Sequence, residues 1–237
     1  VGTLTVDASH CGPPTSGNGG YCAGLVATSL LQAHGLPAVG GPWVEVTLRA
    51  PVPLETPLVL DAASGTVTAH GLLVAESRVL PPDAPLVEAV ARVSVPEARA
   101  AERHYLGLRL HPFPTCWVCG PQGAGYRLQP GATAPGETAC TWTVPALAAP
   151  PGRPVPVDAV WAALDCPGGW TALTGTDVLV LGRMTARVAA VPEVGETCVV
   201  TARRLGGEGR KVVTATTVWR SDGSEVGRAL ATWITLA

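Results

Sequence analysis

Apolar and polar positions follow two rhythms along this chain, and each rhythm occurs twice. From Gly20 to Ala33 the run GYCAGLVATSLLQA is apolar around most of its circumference, interrupted by Thr28, Ser29 and Gln32. A helix apolar on nearly all faces is a buried one, and this run is shorter than the ~20 residues a membrane span needs. Asn18 precedes it as an N-cap, because its side-chain oxygen can accept from an otherwise unpaired backbone N–H. Gly35, with Pro37 beyond, supplies the stop. The pattern then turns to strands: Val44–Arg49 alternates, Val67–Leu80 is long and β-prone, and Val87–Val95 follows, with Leu58-Val59-Leu60 as a brief further strand. The order then returns. Asp158 heads a second apolar helix, and strands are predicted at Arg183–Val188, Thr197–Leu205, Lys211–Arg220 and Gly227–Leu236, with Asp222-Gly223 as a hairpin turn.

Laying the chain over itself supports two copies of one small fold. At an offset of 140 residues Asn18 falls on Asp158, Tyr21 on Trp161, Val74-Ala75-Glu76 on Thr214-Ala215-Thr216, and Glu88–Arg92 on Arg228–Thr232. Thr47-Leu48-Arg49 meets Thr185-Ala186-Arg187 at 138. The expected organisation is a first repeat over 1–98, a linker over 99–125 rich in Pro, Gly, His and Cys, and a second repeat over 126–237.

Composition narrows the function classes. Charged residues are 14% of the 237, against 47% hydrophobic, so the chain has enough apolar surface to offset the entropy of ordering. The net charge is −2 and there is no basic run, which argues against a nucleic-acid partner. Neither a spanning helix nor a basic-then-apolar leader is visible, so no membrane association is expected. Seven scattered cysteines fit reduced thiols in a cytoplasmic protein better than a disulfide framework. Exposed sheet edges favour a homo-oligomer.

Three motifs carry a family resemblance. Ser16-Gly17-Asn18-Gly19-Gly20-Tyr21 resembles the helix start of double-hotdog acyl-CoA thioesterase-like proteins, and Trp161-Ala162-Ala163-Leu164-Asp165 resembles the second-helix segment that carries their catalytic aspartate. The linker His111-Pro112-Phe113-Pro114-Thr115-Cys116-Trp117-Val118-Cys119-Gly120, with Gly182-Arg183-Met184, is similar to a bacterial thioesterase-like branch of that superfamily. The resemblance implies an α+β double hotdog: two tandem hotdog repeats, each a buried helix wrapped by an antiparallel sheet. It also implies hydrolysis of an acyl-CoA or acyl-carrier-protein thioester, with no cofactor. The superfamily's Thr and Gln on strands of the second copy have Val180 and Ser221 in their places here. The competing classes are an acyl-thioester binder that kept the fold without turnover and a pathway enzyme using the same pocket for another reaction.

The residues themselves point the same way. Asn18, Gly19 and Gly20 present free amides at the positive end of a helix, where a developing oxyanion is stabilised. Ordinary capping with tight packing is the alternative. Asp165 is a carboxylate inside an apolar segment, and a buried charge needs a purpose or a partner. Pro167 should kink or break the helix just after it and leave open amides at Gly168 and Gly169. In this reading Asp165 activates water; the alternative is a structural cap on those amides. Tyr21, Trp161 and Trp170, with Gly168 and Gly169, are the expected substrate-binding positions, and Thr171 and Thr174 lie nearby. Cys116 and Cys119 form a single CxxC. It reads first as reduced structural cysteines with no metal, and otherwise as a redox pair or as half of a zinc site whose other ligands would come from His104, His111, Cys140 or Cys166.

Overall fold

The computed structural model describes residues 2–81, 84, 87–149, 153–173 and 178–236. In chain order the elements are β1 (Gly2–Leu4), α1 (Gly19–Ala33), β2 (Val44–Leu48), β3 (Leu58–Asp61), β4 (Thr66–Ala69) and β5 (Leu72–Val79). They continue with α2 (Val95–Glu102), β6 (Gly131–Ala134), β7 (Glu137–Thr143), α3 (Val157–Ala172), β8 (Val178–Val188), β9 (Thr197–Glu208), β10 (Lys211–Trp219) and β11 (Glu225–Leu236). All strands described belong to one sheet, in the order β1-β3-β4-β5-β2-β8-β11-β10-β9-β7-β6, and every pairing is antiparallel.

That order contains the repeat. The run β3-β4-β5-β2 is mirrored by β9-β10-β11-β8, and the two halves join where β2 pairs with β8, Val46 opposite Met184. Each half wraps one helix, α1 in the first and α3 in the second, which is the double hotdog. The sheet alternates as a half-covered surface should: β2 and β8 bury Val44, Val46, Met184, Ala186 and Val188 under the helices. No helix among the described residues is long and apolar enough to cross a membrane.

The structure corrects the strand register within the first copy. Val67–Leu80 is a hairpin, β4 and β5, reversed at His70-Gly71, where both residues have positive φ (50° and 77°). That is the backbone of a tight two-residue turn. Val74-Ala75-Glu76 therefore lies on β5, which corresponds to β11 and not to β10. Val87–Val95 is no strand, and both edges of β2 are already taken, by β5 and β8. The segment instead crosses the outer face of the second half. The Val90 N–H donates to Thr217 Oγ1 (2.9 Å), and its carbonyl accepts from Thr201 Oγ1 (3.3 Å) and Trp219 Nε1 (3.2 Å). Then α2 begins at a Ser94/Glu97 capping box and buries Ala98 and Ala101 against Ala139 and Val199.

The two central helices depart from expectation in one respect each. α1 starts as predicted, with Asn18 Oδ1 accepting the Tyr21 N–H at 2.9 Å. α3 has no side-chain cap: Pro156 is its N-cap, and Asp158 sits in its first turn. α3 also runs unbroken through Pro167 to Ala172. Tertiary packing outweighs the lost donor there, with Thr138 Oγ1 donating to the Pro167 carbonyl at 3.1 Å.

The helices touch through missing side chains. A Cβ on Gly24 would lie 2.6 Å from Trp161 Cβ and 2.8 Å from Asp158 Cα, and one on Gly20 would lie 2.3 Å from Asp165 Cβ. Gly24→Ala meets backbone that cannot move aside, so it is expected to destabilise the protein by about 1–3 kcal/mol despite alanine's better helix propensity. The measurement is a lower denaturant midpoint at unchanged slope. Gly2→Ala, where a Cβ meets nothing within 4 Å, should leave the midpoint in place.

Candidate functional site

Where the first turn of α1, the β2 end, the Cys116 loop, α3 and β8 converge, an apolar cleft of about 430 Å³ opens. Asp165 borders it and is 2% exposed. Its Oδ2 accepts the Gly20 N–H at 2.8 Å, while Oδ1 is buried and has no hydrogen-bond partner among the described residues. Burial pushes this carboxyl up to about 7, and the Gly20 amide and the Asn18 side chain hold it from going higher. The carboxylate is thus bound to the start of the other helix and not to amides beside Pro167.

The expected oxyanion-binding turn is partly committed. Asn18 uses Oδ1 to cap Tyr21, and its Nδ2 points toward Cys116 Sγ (3.8 Å) and Cys166 Sγ (3.7 Å). Gly20's amide is taken by Asp165. Gly19's amide has no partner among the described residues, and Gly19 lines the cleft half-buried. The spare donor is therefore one amide, at the positive end of α1.

The sequence-predicted positions separate into two groups. Asn18, Gly19, Asp165, Gly169 and Trp170 line the cleft. Gly20, Tyr21, Trp161 and Gly168 do not. Gly20 and Trp161 form the helix crossing, Tyr21 stacks on His10 (centroids 4.1 Å apart), and Gly168 lets α3 settle on Thr214 and Thr216. Gly169 makes the same close approach to the Trp233 ring, so neither glycine marks an opened helix. Val180 lines the cleft, whereas Ser221 sits in the β10–β11 connection, its carbonyl accepting from Arg92. Thr171 donates to the Gly168 carbonyl at 2.7 Å, and Thr174 lies outside the described residues.

Of His104, His111, Cys140 and Cys166, the candidate partners of the CxxC, Cys166 is the one that joins the sulfur pair. Cys166, one residue past Asp165, brings its Sγ to 3.9 Å from Cys116 Sγ, which in turn is 3.7 Å from Cys119 Sγ; all three are buried and border the cleft. His104 and Cys140 are elsewhere. The cluster polarises itself. Cys116 is held well below the usual thiol range by the Cys119 and Cys166 thiols and by the amides of Val118 and Cys119, while the Cys116 thiol and burial push Cys119 and Cys166 up. His111 Nε2 lies 3.4 Å from Cys119 Sγ, and its Nδ1 accepts the Phe113 N–H at 2.9 Å. Burial pulls the ring below its usual value, and because Nδ1 accepts, the ring's proton sits on Nε2. No residue periodicity reports this cluster, because its members come from a loop and from a helix some fifty positions away.

No protein-family model matches this chain, and no curated protein does. Solved structures do. A hotdog-fold protein of unknown function from Alicyclobacillus acidocaldarius superposes at TM-score 0.65 with 15% identity, over 99% of this chain and 92% of that one. The tesB protein of Mycobacterium avium subspecies paratuberculosis gives 0.65 and 11% over 99% and 92%. A proposed thioesterase from Novosphingobium aromaticivorans gives 0.62 and 14% over 99% and 95%. At these identities the likeness is one of fold, and it extends over both halves.

Asn18 is the polar hinge of the site, since it caps α1 and faces both Asp165 and two sulfurs. Asn18→Ala is expected to lose about 1 kcal/mol of stability with the cap. Asn18→Asp keeps a capping oxygen but adds a second buried anion beside Asp165, so it should unfold at lower denaturant than Asn18→Ala. The reverse order would mean that capping dominates at this position.

Proposed function

We propose that this protein hydrolyses an acyl thioester, carried on coenzyme A or on an acyl carrier protein, in the cleft between its two halves. The observation that carries the reading is Asp165: a buried carboxylate at the edge of an apolar cleft, one oxygen tied to Gly20 and the other free, beside the spare amide of Gly19. The acyl group lies along the apolar wall that includes Leu179, Leu181 and Trp170. Its carbonyl oxygen points to the Gly19 N–H at the positive end of α1, where negative charge is favoured. Asp165 Oδ1 holds a water, removes its proton as the oxygen attacks the carbonyl carbon, and the tetrahedral intermediate collapses by expelling the thiolate. Gly20 fixes the carboxylate's orientation through Oδ2. The fold shared with the Novosphingobium protein supports this reading.

Two observations favour binding without turnover. The Gly20 amide already donates to Asp165, which leaves a single amide for the carbonyl, and the apolar Val180 faces the cleft. A free-thiol assay over acetyl, medium-chain and aromatic acyl-CoAs separates the two. Turnover by the wild type, lowered about 10²–10⁴-fold by Asp165→Asn with substrate affinity retained, is the outcome of hydrolysis with Asp165 as base. Unchanged turnover in Asp165→Asn removes that base, and CoA-thioester binding with no thiol released by the wild type favours the binder.

The apolar wall also sets a preference. Each added methylene is worth roughly 0.8 kcal/mol when buried, so kcat/KM should rise about fourfold per methylene until the cleft is filled. A flat profile across chain lengths would place the acyl group outside it.

A further inference from the structure

Two cysteines of one loop and a third from α3 converge in the wall of the cleft, and neither the hydrolytic step nor the packing of the core accounts for how their sulfurs are surrounded. We infer that Cys116, Cys119 and Cys166 are the three thiolate ligands of one zinc ion, whose fourth coordination position faces the cleft and takes a water or a small thiol.

The first argument is spacing. A tetrahedral ion with metal–sulfur bonds of about 2.3 Å sets its sulfurs about 3.8 Å apart. Cys116 Sγ is 3.7 Å from Cys119 Sγ and 3.9 Å from Cys166 Sγ, and all three sulfurs lie within 4.8 Å of one another. These separations are far beyond the ~2.05 Å of a disulfide, and all seven cysteines are free. The CxxC turn followed by glycine folds its own carbonyl ladder, the Gly120 N–H donating to the Cys116 carbonyl at 2.8 Å. A Cβ on Gly120 would lie 2.4 Å from the Pro114 carbonyl oxygen, so the tight loop requires glycine.

The second argument is the direction of the surrounding dipoles. Buried neutral thiols pack among carbon atoms. These sulfurs face N–H donors: Asn18 Nδ2 toward Cys116 and Cys166, and His111 Nε2 toward Cys119. Donors converging on sulfur from the α1 cap and from the linker are what metal-bound thiolates require to spread their charge.

The third argument separates ligand from support. His111 is within reach of Cys119, but its Nδ1 lone pair already accepts the Phe113 N–H. With that lone pair taken, the proton sits on Nε2, and that nitrogen donates to sulfur and offers the ion no lone pair. No other His, Cys, Asp or Glu among the described residues joins the three sulfurs. With three protein ligands that all border the cleft, the site has the open form of a zinc centre that exchanges an external ligand.

The test begins with the whole wild-type chain, produced in zinc-supplemented medium and purified without chelators. Metal analysis is expected to find about one zinc per chain. Cobalt(II) added to the reduced, metal-stripped chain should give sulfur-to-cobalt charge transfer and the intense visible bands of a tetrahedral site, and these should shift when 2-mercaptoethanol is added. Cys166→Ala should abolish the stoichiometric metal, whereas Cys140→Ala, at a buried thiol elsewhere, and His111→Gln should keep it. Folded wild type that binds neither metal overturns the inference even if Cys166→Ala fails to fold, as does a native Cys116–Cys119 disulfide. Loss of metal in His111→Gln, or cobalt bands unmoved by the thiol, overturns the open fourth position. Every readout is metal content or a spectrum, so the result does not depend on whether thioesters are hydrolysed.

Discussion

The contact on which the rest of this structure depends is the crossing of α1 and α3, where the Asp165 carboxylate meets the Gly20 amide at 2.8 Å. A buried carboxylate is costly unless its charge is met by donors. Here the donor is the first turn of the opposite helix, whose dipole also favours an anion. The approach is possible because Gly20 and Gly24 carry no Cβ where Asp165, Trp161 and Asp158 press against α1. One contact therefore fixes the spacing of the helices, the orientation of the carboxylate, and the inner end of the cleft.

The sheet follows from that crossing. With the helices side by side, the two curved half-sheets meet at β2 and β8 and form one continuous ladder. The ladder leaves no room for a further strand beside β2, and the connecting segment crosses to the outer face and is held there by hydroxyls of Thr201 and Thr217. From that face the chain returns to deliver the Cys116 loop to the junction of α1 and α3. Trp117 is buried in that loop, packed between the rings of Tyr126, Tyr21 and His10. The linker is thus a structural part of the cleft wall and more than a tether.

The polar chemistry of the molecule is concentrated at this junction. In a chain with 14% charged residues, one carboxylate and three sulfurs share a small volume with the Asn18 amide. Asn18 touches nearly all of it: it caps α1, favours the Asp165 carboxylate, and donates toward Cys116 and Cys166. Hydrolysis at Asp165 and metal binding at the sulfurs would occupy adjacent walls of one cleft, with Asn18 between them.

Much of this architecture was legible from residue order. Asn18 announced α1, the alternating runs announced β2 and most of β8–β11, and an isolated carboxylate in an apolar helix singled out Asp165. These features are local, set by side-chain period, capping geometry and the cost of burying charge, and a linear pattern records them directly. Three things were decided only by tertiary structure. Pro167 remains helical because α3 is held by packing on every side and its carbonyl finds Thr138. Val87–Val95 is β-prone but finds both edges of β2 taken, by β5 and β8. The Gly20 amide, the Asp165 carboxylate and the three sulfurs become neighbours only when two helices and a distant loop converge. Sequence records what each residue favours by itself, and the fold decides which of those preferences find a partner.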